Sequence, residues 1–557
     1  MILEYKIDFR SNSQIYEKIF LNLLNKYSQN GKILKDGYIL KFYIEIENTK
    51  NFEDFSTEFA QKLPNSIFLY DTEVKVIEEM PEDESIKLEK TKLQLPFCLD
   101  CLNSVLDKNS PNYHDIFTQC EICGYGIEGE HRSYEEDIKE IATLIESGVY
   151  VQLNTFYGTY TVGKLTKECE DFDFDVVAYD YATVSRYTHA KEYELKALAS
   201  IEKPFIGLRT NLKFKTDIAE FEDEFFRFKL ADDFVLQLLM TRLHSLDIDM
   251  IFITKADIKS KKSFSLVEPK EIEPIEVVAS SSVVAVVRGE RGLPEFPKKA
   301  KKIIPPINAF YSVIKEHDLQ KRYDNIAGIY LSKEYQNTIL VYGKKYGTIN
   351  YLQLDFEFDS IKGIFDAITS SSNTAQKLVT NYKNKFPELF EKINKIKLEK
   401  KKFNIYELWG IVAIVLGFSS SDDVKEASKE LEKNSQLFLG DRGPRIDYKL
   451  VQKDGKTMLD PLVMIRSAMS FRLAGIDKST LSFGIVESFA EFISNEADTL
   501  NENMDVEAFA YAGSLFHNNR FFAKLVKEVA QNHDVFFNNQ LPLDGKNLLY
   551  TDDIEVS

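Results

Sequence analysis

A chain of 557 residues with 44% hydrophobic, 13% aromatic and 28% charged residues can build real cores, and its length fits about three or four domains. A net charge of −18 makes the chain a poor general binder of nucleic acid or anionic membrane, because phosphates repel an acidic surface, though a local basic patch is compatible with it. The longest clean apolar run, Gly410–Phe418, is far too short to span a bilayer.

Residues 1–90 read as β-α-β-β-α-β. Ile2–Phe9 is strand-like. Gln14–Gln29 has helical apolar spacing at Ile15, Ile19, Leu23 and Leu24. Tyr38–Glu47 alternates as a strand in its second half, and Phe52–Leu63 is an amphipathic helix. This order predicts a small ferredoxin-like sandwich. The acidic run Pro81–Glu89 reads as a linker. From Glu135 to about Lys270 helices and strands alternate: helix Glu136–Glu146, strand Val149–Asn154, helix Ala190–Ile201 and strand Met250–Thr254. That pattern predicts an α/β domain. Lys259–Pro274 is charged and strand-poor, and Pro294–Pro306 is a linker. The last part opens with strands at Ile326–Leu331, Thr338–Tyr342 and Thr348–Leu354. It turns mostly helical, as at Tyr406–Leu416 and Ser482–Asn495. It ends in a β-α-β element through Phe509–Tyr511, Phe521–Asn532 and Val535–Phe537.

Four of the five cysteines form two pairs, Cys98/Cys101 and Cys120/Cys123, with eighteen residues between the pairs. Each pair is a knuckle presenting two thiolates, and two knuckles close a tetrahedron, which points to structural Zn²⁺. Two disulfides are the competing pattern, but so long a chain with five cysteines is no disulfide scaffold. Reduced thiols, and no signal-peptide apolar region in Met1–Arg10, set the expectation of a cytoplasmic protein. Cys169 stands in an acidic stretch that raises a thiol pKa, so it is expected to be structural. No phosphate loop of the GxxxxGK[ST] type, HExxH or GxSxG occurs, and the seven histidines show no HxH or HxxxH spacing.

Ala512-Gly513-Ser514-Leu515 follows a strand and precedes a helix. It is either a tight turn or a small-residue turn whose N–H groups approach a phosphate. Leu541-Pro542-Leu543-Asp544-Gly545 is a turn, or it sets Asp544 beside that phosphate turn. Tyr157-Gly158-Thr159-Tyr160 is equally open, and Lys298–Lys302 reads as a solvated basic linker.

Taken in order, these parts resemble HypF, the carbamoyltransferase family of [NiFe]-hydrogenase maturation. The finger from Phe97-Cys98 to Cys123-Gly124 has the family's spacing. Thr241-Arg242-Leu243-His244 is similar to its T-P-L-H, and Arg291-Gly292-Leu293-Pro294 to its R-G-x-x-P. Gln336-Asn337-Thr338 is similar to K-N-T, Gly513–Asn518 to G-G-V-F-Q-N, and Leu541–Gly545 to V-P-P-N-D-G. The resemblance implies a mixed α/β and α+β multidomain architecture. Its parts are an acylphosphatase-type ferredoxin-like domain (1–90), a small zinc finger (91–134), a YrdC-like α/β domain (135–293) and a truncated, helix-rich, actin-like-ATPase-related domain (294–557). It also implies a nucleotide-binding remnant at Gly513, Ser514, Asn518, Asp544, Thr241 and His244. The chain further resembles the HydE-type hydrogenase accessory proteins.

Several family features are missing. In Lys6-Ile7-Asp8-Phe9-Arg10 only Phe9 and Arg10 survive of the acylphosphatase loop. Without its glycines the backbone cannot curl easily around a phosphate, and Asp8 repels an anion. One zinc finger replaces two. Glu168, Glu170, Asp171, Asp173 and Asp175 stand where the YrdC-like domain carries its basic element, which argues against ATP and carbamoyl phosphate. Residues 373–402 lack the family's D-L-H-P, metal-binding histidines and glycine-rich stretch. The expectation is an accessory protein of hydrogenase maturation without full carbamoyl-transfer chemistry. Its partner would be a hydrogenase subunit or a maturation protein. A divergent carbamoyltransferase using ATP at Gly513–Asn518 and near Thr241–His244 is the alternative, and an RNA-directed relative is disfavoured by charge.

Overall fold

The alternating run Ile2–Phe9 lies inside a four-stranded antiparallel sheet ordered Asn30–Asp36, Ile39–Glu45, Ile2–Phe9, Leu69–Ile77. Helices Ile15–Tyr27 and Thr49–Lys62 complete the β-α-β-β-α-β order that the sequence predicts. Their apolar stripes meet the sheet through rings: Phe20 stacks on Phe42 at 4.7 Å and meets Phe55 and Phe59 edge-on. The acidic run does more than link. Ile86 N–H donates to the Ile33 carbonyl (2.9 Å), so this segment lies along the outer edge of Asn30–Asp36.

The structure, a computed structural model, describes residues 1–46, 49–88, 95–258, 262–270, 272–289, 305–453, 456–538 and Leu543. The chain divides into two units: Met1–Val277 with Arg288–Glu295, and Val278–Val287 with Phe296–Ser557.

In the first unit the finger segment leads into a mixed sheet. Its strands run Lys262–Phe264, Val151–Thr155, Gly158–Lys164, Met250–Thr254, Asp175–Ala178, Phe225–Leu230 and Phe205–Arg209. Glu276 and Val277 pair in parallel beside Phe205 and Ile206. Tyr157-Gly158-Thr159-Tyr160 is the tip and return of the Val151–Lys164 hairpin. Helices Glu135–Glu146 and Phe234–His244 pack together. Two differences from the sequence expectation have simple causes. The strand-poor stretch after Lys259 still forms Lys262–Phe264, pairing in parallel with Val151–Leu153. It is a three-residue edge whose residues face mostly solvent, so no apolar alternation marks it. The helix expected over Ala190–Ile201 is only Glu192–Leu198, and Lys203 nearby takes a left-handed φ of 48°.

The second unit holds a seven-stranded mixed sheet ordered Leu450–Lys453, Lys456–Leu459, Gly347–Leu354, Asn337–Gly343, Asn325–Tyr330, Ala508–Ala512, Asp534–Phe536. The terminal β-α-β element is present, its helix Asn519–Val529 joining two parallel strands. Pro305 and Pro306 open helix Pro305–Glu316, where a proline lacks nothing the first turn needs. Residues 373–402 fold as helices Asn373–Lys385 and Pro387–Ile393, started by the Ser372 cap and by Pro387. Helix Ile405–Leu416 is buried on every side, with Trp409 wholly buried. Asn404 and Glu407 form its capping box, and Gly417 ends it in the left-handed region. The helix expected over Ser482–Asn495 runs Lys478–Met504, because its first and last turns are polar and extend beyond the apolar stripe. Among the described residues no helix is long and apolar enough to cross a membrane. Arg291–Pro294, Lys298–Lys302 and the linker residues 294–304 lie outside the described residues.

Candidate functional site: a tetrathiolate knuckle and self-occupied anion positions

Cys98 precedes helix Leu99–Leu106, so Cys101 falls on its first turn and both sulfurs point the same way. The second knuckle is tight. Gly124 N–H donates to the Cys120 carbonyl (3.0 Å), Cys120 N–H donates to Tyr125 (2.8 Å), and Gly124 takes φ 75°. All four Sγ atoms lie within 4.8 Å of one another, with Cys98–Cys101 at 3.5 Å and Cys101–Cys123 at 3.8 Å. A zinc tetrahedron with bonds of about 2.3 Å has edges of roughly 3.8 Å, so the donor set suits Zn²⁺. The hydrogen bond with Cys120, the other two thiols and burial hold Cys101 far above the usual thiol range. A divalent cation removes that cost by binding thiolates. With four sulfurs the site would have no open position, so the ion's part would be to hold the two knuckles together.

The knuckle is fixed to its surroundings. Lys18 Nζ donates to the Glu121 carbonyl and Lys62 Nζ to Asp100, both at 2.8 Å. Phe97 stacks on Phe234 at 4.6 Å, and the buried Tyr125 hydroxyl accepts from Phe234 N–H (3.1 Å). Beside it, the wholly buried Asp233 caps helix Phe234–His244 through Leu236 N–H (2.8 Å) and accepts from Phe156 N–H (2.5 Å). Burial and the neighbouring Asp232 push Asp233 up to about 6. Neither Asp233 nor Tyr125 was singled out from sequence; Tyr125 reaches Phe234 across 109 residues, and no local pattern joins them.

Phe9 and Arg10 are internally satisfied. The Arg10 guanidinium donates to Asp8 (Nε–Oδ1 3.1 Å) and lies 3.9 Å over the Tyr70 ring, while Phe9 is core. The amides that could line an anion loop have partners: Arg10 N–H on Phe68, Ser13 N–H on Ser11 Oγ, and Ile15 N–H on Ser13 Oγ.

Thr241 and His244 sit in the last turn of their helix, where carbonyls rather than N–H groups are exposed. Thr241 Oγ1 donates to the Gln237 carbonyl (2.8 Å). His244 stacks on Tyr179 at 4.0 Å and its Nδ1 meets Asp249 at 2.6 Å. In the acidic stretch, Asp175 makes a two-point pair with Arg227 (2.6 and 2.8 Å). Cys169 is buried, and burial pushes its thiol up.

Gly513, Ser514 and Asn518 do share one turn, in the second unit. Gly513 takes φ 114° and its N–H donates to the Leu543 carbonyl (2.8 Å). Leu515 N–H donates to Leu331 (2.9 Å), and Asn518 is buried, capping the next helix through Phe521 N–H (3.0 Å). Ser514 Oγ accepts from Lys333 N–H (2.9 Å). The Lys333 ammonium is held by both oxygens of Glu432 at 2.7 Å, and Tyr406 donates to the same carboxylate at 3.0 Å. Burial, then Lys333, push His517 down to about 3, so its ring is neutral. Asp544 lies outside the described residues. A Cβ at residue 513 would stand 2.1 Å from the Leu331 carbonyl oxygen. Gly513→Ala is therefore expected to cost about 1–3 kcal/mol in urea unfolding; an unchanged midpoint would contradict this geometry.

No family model matches the chain. It is 25% identical over 506 residues to the protein HydE of Wolinella succinogenes, covering 88% of this chain and 90% of that protein. Two solved structures superpose along its length. Full-length HypF in its phosphate- and nucleotide-bound form gives a TM-score of 0.61 at 14% identity, covering 98% of this chain and 97% of that one. T. kodakarensis HypF gives 0.65 at 12% identity with the same coverage.

The fold is that of HypF. The resemblance read from the order of motifs is thus borne out, and so is the mixed multidomain fold class. HypF superposes on both units, and the span without its own counterpart motifs, 373–402, is filled by the two helices described above.

Proposed function

We propose that this protein is a cytoplasmic accessory factor of [NiFe]-hydrogenase maturation, derived from HypF, that no longer carries out carbamoyl transfer. It keeps HypF-like modules in order (1–90, 91–134, 135–293, 294–557), with Zn²⁺ on Cys98, Cys101, Cys120 and Cys123 as a structural ion. It recognises a hydrogenase subunit or another maturation protein. Similarity to HydE and the HypF fold along the whole chain support the hydrogenase link. One observation carries the loss of chemistry. The positions that could receive phosphate are satisfied from within: Arg10 by Asp8, the Gly513 turn by Leu543 and Leu331, and Lys333 by Glu432. A polyphosphate needs cations and free N–H groups, and a cation neutralised at 2.7 Å is a poor donor to a further anion. The alternative, a divergent carbamoyltransferase, would have to break these pairs on binding. Deleting the gene is expected to lower hydrogenase activity while cyanide ligands still form, read by their infrared bands; unchanged activity would overturn the proposal.

A further inference from the structure

The four-stranded sheet of the first unit treats its two edges differently. Along Asn30–Asp36 the chain's own acidic segment is docked, through Ile86 N–H and the Ile33 carbonyl. Along Leu69–Ile77, the last strand on the other side, no strand pairs with the outer edge among the described residues. This edge is long, nine residues, and residues 71–76 are exposed in succession, with Val74 at 55% and Val76 at 64%. Soluble proteins normally shorten, bulge or cover such an edge, since its unpaired N–H and C=O groups template a further strand.

The register tells which groups face outward. Arg10 N–H points to this side of the central strand, whereas Phe9 N–H points to the other, reaching Tyr38. Even-numbered residues of Ile2–Phe9 therefore exchange bonds with the edge strand: Glu4 with Lys75 and Lys6 with Glu73. Thr72, Val74 and Val76 alternate with these and present their backbone outward. Thr72 N–H confirms the parity, since it is taken by the Asp71 carboxylate at 2.8 Å rather than by a strand.

Charge selects the occupant. Asp71, Glu78 and Glu79 leave the edge acidic, since Glu73 faces Lys6 at 3.8 Å and the single Lys75 is paired with Glu4 at 2.9 Å. A second copy of this chain would set acidic edge on acidic edge, which is repulsive. We propose that Leu69–Ile77 is a strand-addition site for an extended basic segment of a partner protein. Main-chain bonds to Val74 and Val76, with the Thr72 carbonyl as a further acceptor, supply affinity. Apolar side chains over the two valines, alternating with lysines or arginines toward Asp71 and Glu73, supply selectivity.

The test uses the full-length, zinc-loaded protein and a labelled, end-capped (Lys-Val)₄ peptide, with (Glu-Val)₄ as its charge-reversed control, read by fluorescence anisotropy at physiological salt. The basic peptide is expected to bind at least about tenfold tighter than the acidic one. Val74→Pro, which removes an outward N–H without touching the pairing to Ile2–Phe9, should weaken binding about tenfold. Asp71→Lys/Glu73→Lys should do the same by charge, and it keeps the test decisive if the proline variant fails to fold. Equal binding of both peptides, no binding of either, or full affinity in the folded variants would overturn the proposal.

Discussion

If the four thiolates hold zinc as proposed, Cys123→Ser is expected to abolish zinc binding there and to lower the melting temperature of the first unit by about 10 °C or more, since structural zinc in zinc-finger peptides contributes about 10–16 kcal/mol. Cys123 is 3% exposed, so serine would place a buried hydroxyl where a thiolate is needed, beside three thiols that cannot all ionise without a cation. The damage should spread beyond the knuckle. Tyr125 follows directly after Gly124 and meets the start of helix Phe234–His244, and Phe97 stacks on the same helix at Phe234. Loosening the knuckle therefore loosens a helix of the α/β sheet layer. Metal content by mass spectrometry under native conditions, with melting followed by circular dichroism, reads both effects. Full zinc content with unchanged melting would contradict the tetrathiolate assignment.

Glu432→Ala is expected to cost about 1–3 kcal/mol, less than for a fully buried ion pair because water can reach the half-buried Lys333 ammonium. The carboxylate is the acceptor for both the half-buried Lys333 ammonium and the buried Tyr406 hydroxyl, and its removal leaves both donors without it. Burial first, then Glu432, already hold the Tyr406 hydroxyl well above its usual range. Lys333→Met added to Glu432→Ala should recover much of the loss, since two apolar groups need no partners. Chemical denaturation of the four species gives the coupling energy. A coupling near zero would mean that the two side chains do not stabilise each other as this geometry requires.

The parts legible in the sequence are those whose signal is local. Two-residue alternation marks Ile2–Phe9, and the capping pair Asn404/Glu407 with Gly417 bounds a helix whose apolar run is plain. The four cysteines were legible because knuckle spacing is itself a local rule. Asn30–Asp36 was weak because only Ile33 is buried there. The anion positions were half legible. Missing glycines and reversed charge were visible, but the partners were not: Lys333 and Glu432 are 99 residues apart. Thr241-Arg242-Leu243-His244 shows the opposite limit of sequence reading. Its letters fit a motif, yet the fold sets them at the carbonyl end of a helix whose N-terminus is capped by Asp233. Letter order alone carries no information on which helix end faces a ligand.

The account stands or falls on whether the self-satisfied positions still turn over substrate. The direct measurement is release of AMP and pyrophosphate from ATP by the purified, zinc-loaded protein, with and without carbamoyl phosphate. No release above a no-enzyme control, from protein shown to be folded, is the predicted result. Carbamoyl-phosphate-dependent release would contradict it and identify the chain as an active carbamoyltransferase.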